Sequence, residues 1–120
     1  TGIIIRVDPR QFSQVLQNLI LNAIDAMGEK GTISLGATKT QKSHGNYCKI
    51  SIRDSGTGID ADNIKEIFNP YFTSKEHGTG LGLSIVERII TEHGGNIWCE
   101  SAIGYGATFF IELKMEEDDE

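Results

Sequence analysis

The sequence predicts an α+β fold of two layers, with a mixed, mainly antiparallel sheet carrying helices on one face. Three observations predict it. Strand-like runs of alternating apolar and polar residues come in two pairs, 32–53 and 96–114, each joined by a polar, glycine-bearing turn. Two segments, 10–27 and 83–93, instead repeat apolar residues at helical spacing. The resulting order, β-α-β-β-α-α-β-β, lacks the strict alternation that builds a parallel sheet.

Residues 3–7 alternate weakly and read as a short edge strand. Asp8-Pro9 then starts a helix: aspartate is a good N-cap, and proline suits the first helical position, where an N–H has no partner anyway. The helix runs over 10–27, burying Phe12, Val15, Leu16, Leu19, Ile20, Ile24 and Met27. Gln14, Asn18, Asn22 and Asp25 fall off that stripe and share another face. Gly28 and Gly31 bracket the turn into a strand over 32–38, with Ile33, Leu35 and Ala37 inward. A polar hairpin loop, 39–46, leads to a partner strand, 47–53, with Cys48, Ile50 and Ile52 on one face. Asp60 caps a short helix over 61–67, which Pro70 forbids from continuing. The next helix ends at His93, stopped by Gly94-Gly95. Strands Asn96–Ser101 and Ala107–Lys114 close the chain, turning at Gly104-Tyr105-Gly106.

Composition sets bounds on function. With 120 residues and a hydrophobic fraction of 38%, the chain is one domain with a real core. It divides into a domain over 1–114 and an acidic tail over 115–120. The net charge of −6 argues against general nucleic-acid binding, which needs a basic face. No run is apolar enough to span a membrane and no signal pattern appears, while the abrupt apolar start reads as a boundary inside a longer protein. Cys48 and Cys99 read as small buried hydrophobes in a reducing compartment.

Chemistry centres on Lys75-Glu76-His77-Gly78-Thr79-Gly80-Leu81-Gly82-Leu83. Glycines at alternate positions let the backbone approach a ligand, and a helix N-terminus with free N–H groups suits phosphate. Simple turn chemistry is the commoner use of such glycines. Asp54, at a strand end before two glycines, either caps its own turn or accepts from a ligand amine. Asn18 and Asn22 are amides in mid-helix, where asparagine is a poor helix former and needs a reason. An oxygen ligand there suits a hard cation such as Mg²⁺, which completes its shell with phosphates and water. Phe68, Tyr71 and Phe72 either anchor the loop base or stack on a nucleobase. Thr108 is either a relay into the site or an ordinary strand threonine. His44, His77 and His93 have no nucleophile partner, and His93 fits the dipole of a helix C-terminus.

Together these signals resemble one family, the catalytic domain of histidine kinases. Gln17-Asn18-Leu19-Ile20-Leu21-Asn22-Ala23 is similar to its N box, and Asp54-Ser55-Gly56-Thr57-Gly58 to its G1 box. Phe68-Asn69-Pro70-Tyr71-Phe72 resembles the F box, Gly78-Thr79-Gly80-Leu81-Gly82 the G2 box, and Gly104-Tyr105-Gly106-Ala107-Thr108-Phe109 completes the set. The Pro-Tyr-Phe-Thr-Ser-Lys stretch is most similar to the nitrogen-regulation type of sensor kinase.

The resemblance implies the Bergerat ATP-binding fold, shared with gyrase, heat-shock protein of the ninety class and the MutL repair proteins. It implies that Asn22 coordinates Mg²⁺ on the ATP phosphates, with Asn18 and Asp25 beside it. Asp54 then takes the adenine amino group, supported by Thr108 and a water, while Gly56, Gly58 and Ile59 line the adenine pocket. Residues 69–82 become an ATP lid, in which Phe72, Lys75, Gly78, Thr79, Gly80, Leu81 and Gly82 reach the nucleotide and Leu83 follows. Asn22 and Lys75 carry the catalytic expectation.

Departures from the family refine it. Hydrolysing members place a glutamate where this chain has Asn18, which cannot act as a base, so a kinase is favoured over an ATPase switch. No acceptor-histidine motif is present. The resemblance therefore implies a separate dimerisation domain bearing that histidine, a response regulator downstream, a monomeric domain within a dimeric parent, and a cytoplasmic location for a parent that can be membrane-anchored.

Overall fold

The computed structural model describes residues 2–69 and 82–116. The expected F-box residues Pro70, Tyr71 and Phe72, most of the lid, and the tail beyond residue 116 lie outside the described residues.

Helix α1, Pro9–Met27, begins as its sequence dictates. The Asp8 carboxylate accepts from the backbone N–H groups of Arg10 and Gln11, at 2.9 and 3.1 Å. These are orphan donors of the first turn, and proline occupies the position that needs none. Strands β1, Ile33–Lys42, and β2, Gly45–Asp54, form the first hairpin. A four-residue helix α2, Ala61–Ile64, and helix α3, Gly82–Glu92, precede strands β3, Asn96–Ser101, and β4, Ala107–Lys114. The sheet order is β1-β2-β4-β3, and every strand pairing is antiparallel.

Helices α1 and α3 pack against each other on one face of the sheet, α1 mainly over β2 and α3 over β3. The core lies between the layers. Val15, Leu19, Val86, Ile89 and Ile90 meet Ile52, Phe109, Ile111 and Leu113 there. Each such side chain contributes about 1.5–3 kcal/mol on leaving water. Phe68 packs edge-on to Phe109, its ring centroid 6.1 Å away, so at least one aromatic of the F-box stretch anchors the core.

The structure departs from the sequence reading in five places. Ile24, expected in the buried stripe of α1, is 45% exposed, because the buried face centres on Val15, Leu19 and Ala23 and each four-residue step from Leu16 through Ile20 turns further from it. Residues 3–7 form no strand and make a single antiparallel bridge, Ile5 to Met115. The reason is that β2 and β3 occupy both edges of β4 over most of its length, leaving only its last residues to pair. The hairpin loop shrinks to Ser43-His44, because β1 and β2 stay in register out to the Lys42–Gly45 pair. Helix α2 stops at Ile64; tight turns, Glu66 N–H to Asn63 O and Asn69 N–H to Glu66 O, then swing Ile67 into the core. Leu35 and Ala37 lie on the helix-facing side but are exposed, Leu35 by 63%, since β1 is the edge strand and lies beyond the helix layer. Both cysteines are free, Cys48 buried and Cys99 half-buried.

Candidate functional site

Asp54 is the last residue of β2, and only 3% of it is exposed. The register sets it beside Ile33 of β1 and Ala107 of β4, so its side chain shares the helix-facing side of the sheet with theirs. Its Oδ1 accepts from the backbone N–H of Gly56 at 2.8 Å and of Ala107 at 3.3 Å. The turn-capping use of this aspartate is therefore real and falls on one oxygen. Among the described residues, Oδ2 takes no part in that geometry and is the oxygen a ligand amine can use.

The loop after Asp54 is drawn tight against two neighbours. A Cβ on Gly56 would stand 2.6 Å from the Ala26 carbonyl oxygen, at the C-terminal end of α1. Gly58 adopts a positive φ of 82°, and a Cβ there would stand 2.1 Å from the Ala102 carbonyl oxygen. These two glycines thus bring backbone to backbone, and Ile59 follows half-buried against the core. Gly104 N–H donates to the Thr57 carbonyl at 2.8 Å, and Ile59 N–H donates to Ser101 Oγ at 2.7 Å.

Helix α1 supplies the next wall. Asn18 is half-buried, and its Nδ2 donates at 3.5 Å to the carbonyl of Gly82, the first residue of α3. Asn22 is half-buried one turn on, and Asp25 is exposed beyond it. Leu83 is half-buried and packs on the core at the base of α3. Helix α1 therefore meets the start of α3 at Asn18 and the Asp54 loop near Ala26, and that loop in turn meets the β3–β4 turn through Thr57 and Gly104. Among the described residues no three His, Cys, Asp or Glu side chains gather as a metal site. The side chains of Asn18, Asn22 and Asp25 carry oxygens, the hard donor type that fits Mg²⁺ held jointly with phosphates.

The structure does not bring every expected residue together. Thr108 pairs with Arg53 and Glu100, one step out of phase with Asp54, so its side chain lies on the opposite face of the sheet. The residue beside Asp54 is Ala107, whose contribution is its N–H. Phe72, Lys75, Gly78, Thr79, Gly80 and Leu81 lie outside the described residues.

One residue escaped sequence reasoning. Ser101 ends β3 in phase with Ile97 and Cys99, and a polar residue in step with an apolar strand face is the signal that could have found it. Cys99 also faces the Asp54 region. Burial pushes its thiol up to about 12, and the carboxylates of Asp54 and Glu100 add to the rise.

Residues 7–117 match the family described as histidine kinase-, DNA gyrase B- and HSP90-like ATPase. The chain is 50% identical over 111 residues to the sensor histidine kinase ZraS of Escherichia coli (strain K12), an alignment covering 92% of this chain and 23% of that protein. It is 40% identical to the catalytic domain of histidine kinase ThkA in a nucleotide-free form, with a TM-score of 0.78 over 92% of this chain and 70% of that one. Full-length ShkA is 29% identical, with a TM-score of 0.79 over 98% of this chain and 24% of that one. The chain thus spans about a quarter of the length of these curated relatives.

Proposed function

The chain belongs to the histidine kinase-, DNA gyrase B- and HSP90-like ATPase family as a histidine kinase catalytic domain, and on that premise we propose that it binds Mg²⁺–ATP and phosphorylates a histidine on a separate dimerisation domain. The buried Asp54 carboxylate carries this reading, because one oxygen is committed to the loop and the other can take the adenine amino group. ShkA, solved in complex with AMPPNP, supports a nucleotide in this fold.

In the proposed reaction the histidine imidazole attacks the γ-phosphorus. A nitrogen–phosphorus bond forms, the bond to the β–γ bridging oxygen breaks, and ADP leaves with that electron pair. The phosphoryl group then passes to a response regulator. Little covalent help is needed from the protein, which positions the reactants and neutralises charge. Asn22 would hold Mg²⁺, whose charge spreads over the phosphates, with Asp25 beside it. Gly56, Gly58 and Ile59 line the adenine end. The N-terminus of α3, beginning at Gly82 and Leu83, favours an anion through its free N–H groups. Residues 69–82 act as the lid, with Phe72, Gly78, Thr79, Gly80 and Leu81 around the nucleotide and Lys75 contributing charge. Asn18 has no basic group for activating water, which favours transfer to histidine over hydrolysis. The domain spans 1–114, is monomeric alone and sits in a dimeric, cytoplasmically facing kinase whose parent can be membrane-anchored.

The test is equilibrium binding of ATP and GTP, with and without Mg²⁺. Guanine presents an acceptor where adenine presents an amine, so ATP should bind roughly a hundredfold more tightly than GTP. Asp54→Asn should abolish that preference. Equal binding of the two nucleotides by the unaltered chain overturns the role of Asp54.

A further inference from the structure

Ser101 Oγ is shared by two segments. It accepts the Ile59 N–H at 2.7 Å and donates to the Gly106 carbonyl at 2.6 Å. The Gly106 carbonyl belongs to the same peptide unit as the Ala107 N–H, which in turn donates to Asp54 Oδ1. One hydroxyl therefore fixes the end of the Asp54 loop and the plane of the peptide that holds the Asp54 carboxylate. At its glycine end that peptide has no side chain to set its orientation. Gly106 has no side chain, and its φ of 73° is one that other residues avoid. A Cβ there would stand 2.1 Å from the Asp54 carbonyl oxygen. Accepting from a hydroxyl also polarises the amide, which strengthens its N–H as a donor to the carboxylate.

We infer that Ser101 is a positioning residue for nucleotide recognition: through the Gly106–Ala107 peptide and Ile59 it aims the Asp54 carboxylate at the nucleobase. The inference rests on the proposed ATP site. It goes beyond it by assigning base discrimination to a residue that need not touch the base. Without the hydroxyl, the Ile59 N–H and the Gly106 carbonyl both lose their side-chain partner, and the 106–107 peptide loses the bond that fixes its carbonyl end. A buried polar group that loses its partner shifts towards water, here by opening the loop.

Titration calorimetry of ATP, GTP and inorganic tripolyphosphate, each with Mg²⁺, tests this on the unaltered chain and on Ser101→Ala. The variant should bind ATP about tenfold more weakly while GTP and tripolyphosphate change by less than about twofold, so that the ATP-to-GTP ratio contracts about tenfold. A purely structural serine would lower the urea midpoint and leave the ratio among folded molecules unchanged, which overturns the inference. Should Ser101→Ala fail to fold, Ser101→Cys keeps the side-chain shape with a slightly larger thiol that is a weak donor and a weak acceptor. The ratio must contract there too, and its persistence in that folded variant overturns the inference. An unaltered chain with no preference for ATP overturns the Asp54 assignment instead, so the two failures are told apart.

Discussion

At the scale of single residues, the site is decided by strand register. Asp54 and Ala107 face each other across β2 and β4, while Thr108, one residue on, points to the other side of the sheet. A threonine two residues after a glycine turn attracts a functional reading from sequence because its hydroxyl is visible and the backbone N–H of an alanine is not. The geometry makes opposite demands on the two positions. Thr108→Val should leave ATP affinity within about twofold, since the hydroxyl removed lies on the far face. Competition binding with a fluorescent ATP analogue measures it, and a loss of tenfold or more would restore Thr108 to the site.

At the scale of elements, the start of α1 is tied to the end of α3. The Asp8 N–H donates to His93 Nε2 at 3.0 Å, and His93 Nδ1 lies 2.8 Å from the Ile89 carbonyl. Because Nε2 must accept from an N–H, the ring proton sits on Nδ1 and donates to that carbonyl. His93 is thus a hydrogen-bonded clip between helices, where the sequence alone suggested only a favourable dipole contact. Asp8 serves the same junction twice, by its side chain to α1 and by its backbone to His93. Asp8→Ala removes the side-chain cap and keeps the clip. It should lower stability by about 1 kcal/mol with no change in the slope of urea denaturation. Asp8→Asn, which retains an accepting oxygen, should recover most of that loss.

At the scale of the whole molecule, one sheet face carries the helices and the other carries a polar and aromatic surface. On that second face Trp98 stacks on Phe110 with ring centroids 5.3 Å apart, the Lys49 ammonium stands 5.3 Å from the Phe110 ring centroid, and Lys42 pairs with the buried Glu112. The two free thiols couple this architecture to pH. Burial raises both Cys48 and Cys99 above the ordinary value of 9.0, Cys99 to about 12. Below the ordinary value the thiols are protonated whether the chain is folded or not, and their contribution to stability is complete. As pH climbs past it the unfolded chain ionises and the folded one resists, so stability falls towards the folded value. Urea midpoints at about pH 8 and about pH 10.5 should show this decline, and Cys99→Ala should make it shallower. An unchanged decline in that variant would remove Cys99 as its source.

The sequence by itself determined the elements with strong local signals: the Asp8-Pro9 start of α1, the apolar stripes of α1 and α3, the Gly94-Gly95 stop and the two hairpins. Caps, helical period and glycine punctuation act within a few residues, so a linear reading captures them. It also placed Asp54, Gly56 and Gly58 in one loop, because they are adjacent in the chain. What tertiary structure decided is whatever depends on neighbours distant in sequence. That residues 3–7 find only one bridge follows from β4 being flanked on both edges. That Leu35 stays exposed follows from β1 lying at the edge of the sheet. Ser101 became a hub, and Thr108 was turned away, because the β2–β4 and β3–β4 registers set which face each residue shows. Alternation within a strand tells a sequence that two faces exist, but only the packed helices tell it which one is the inside.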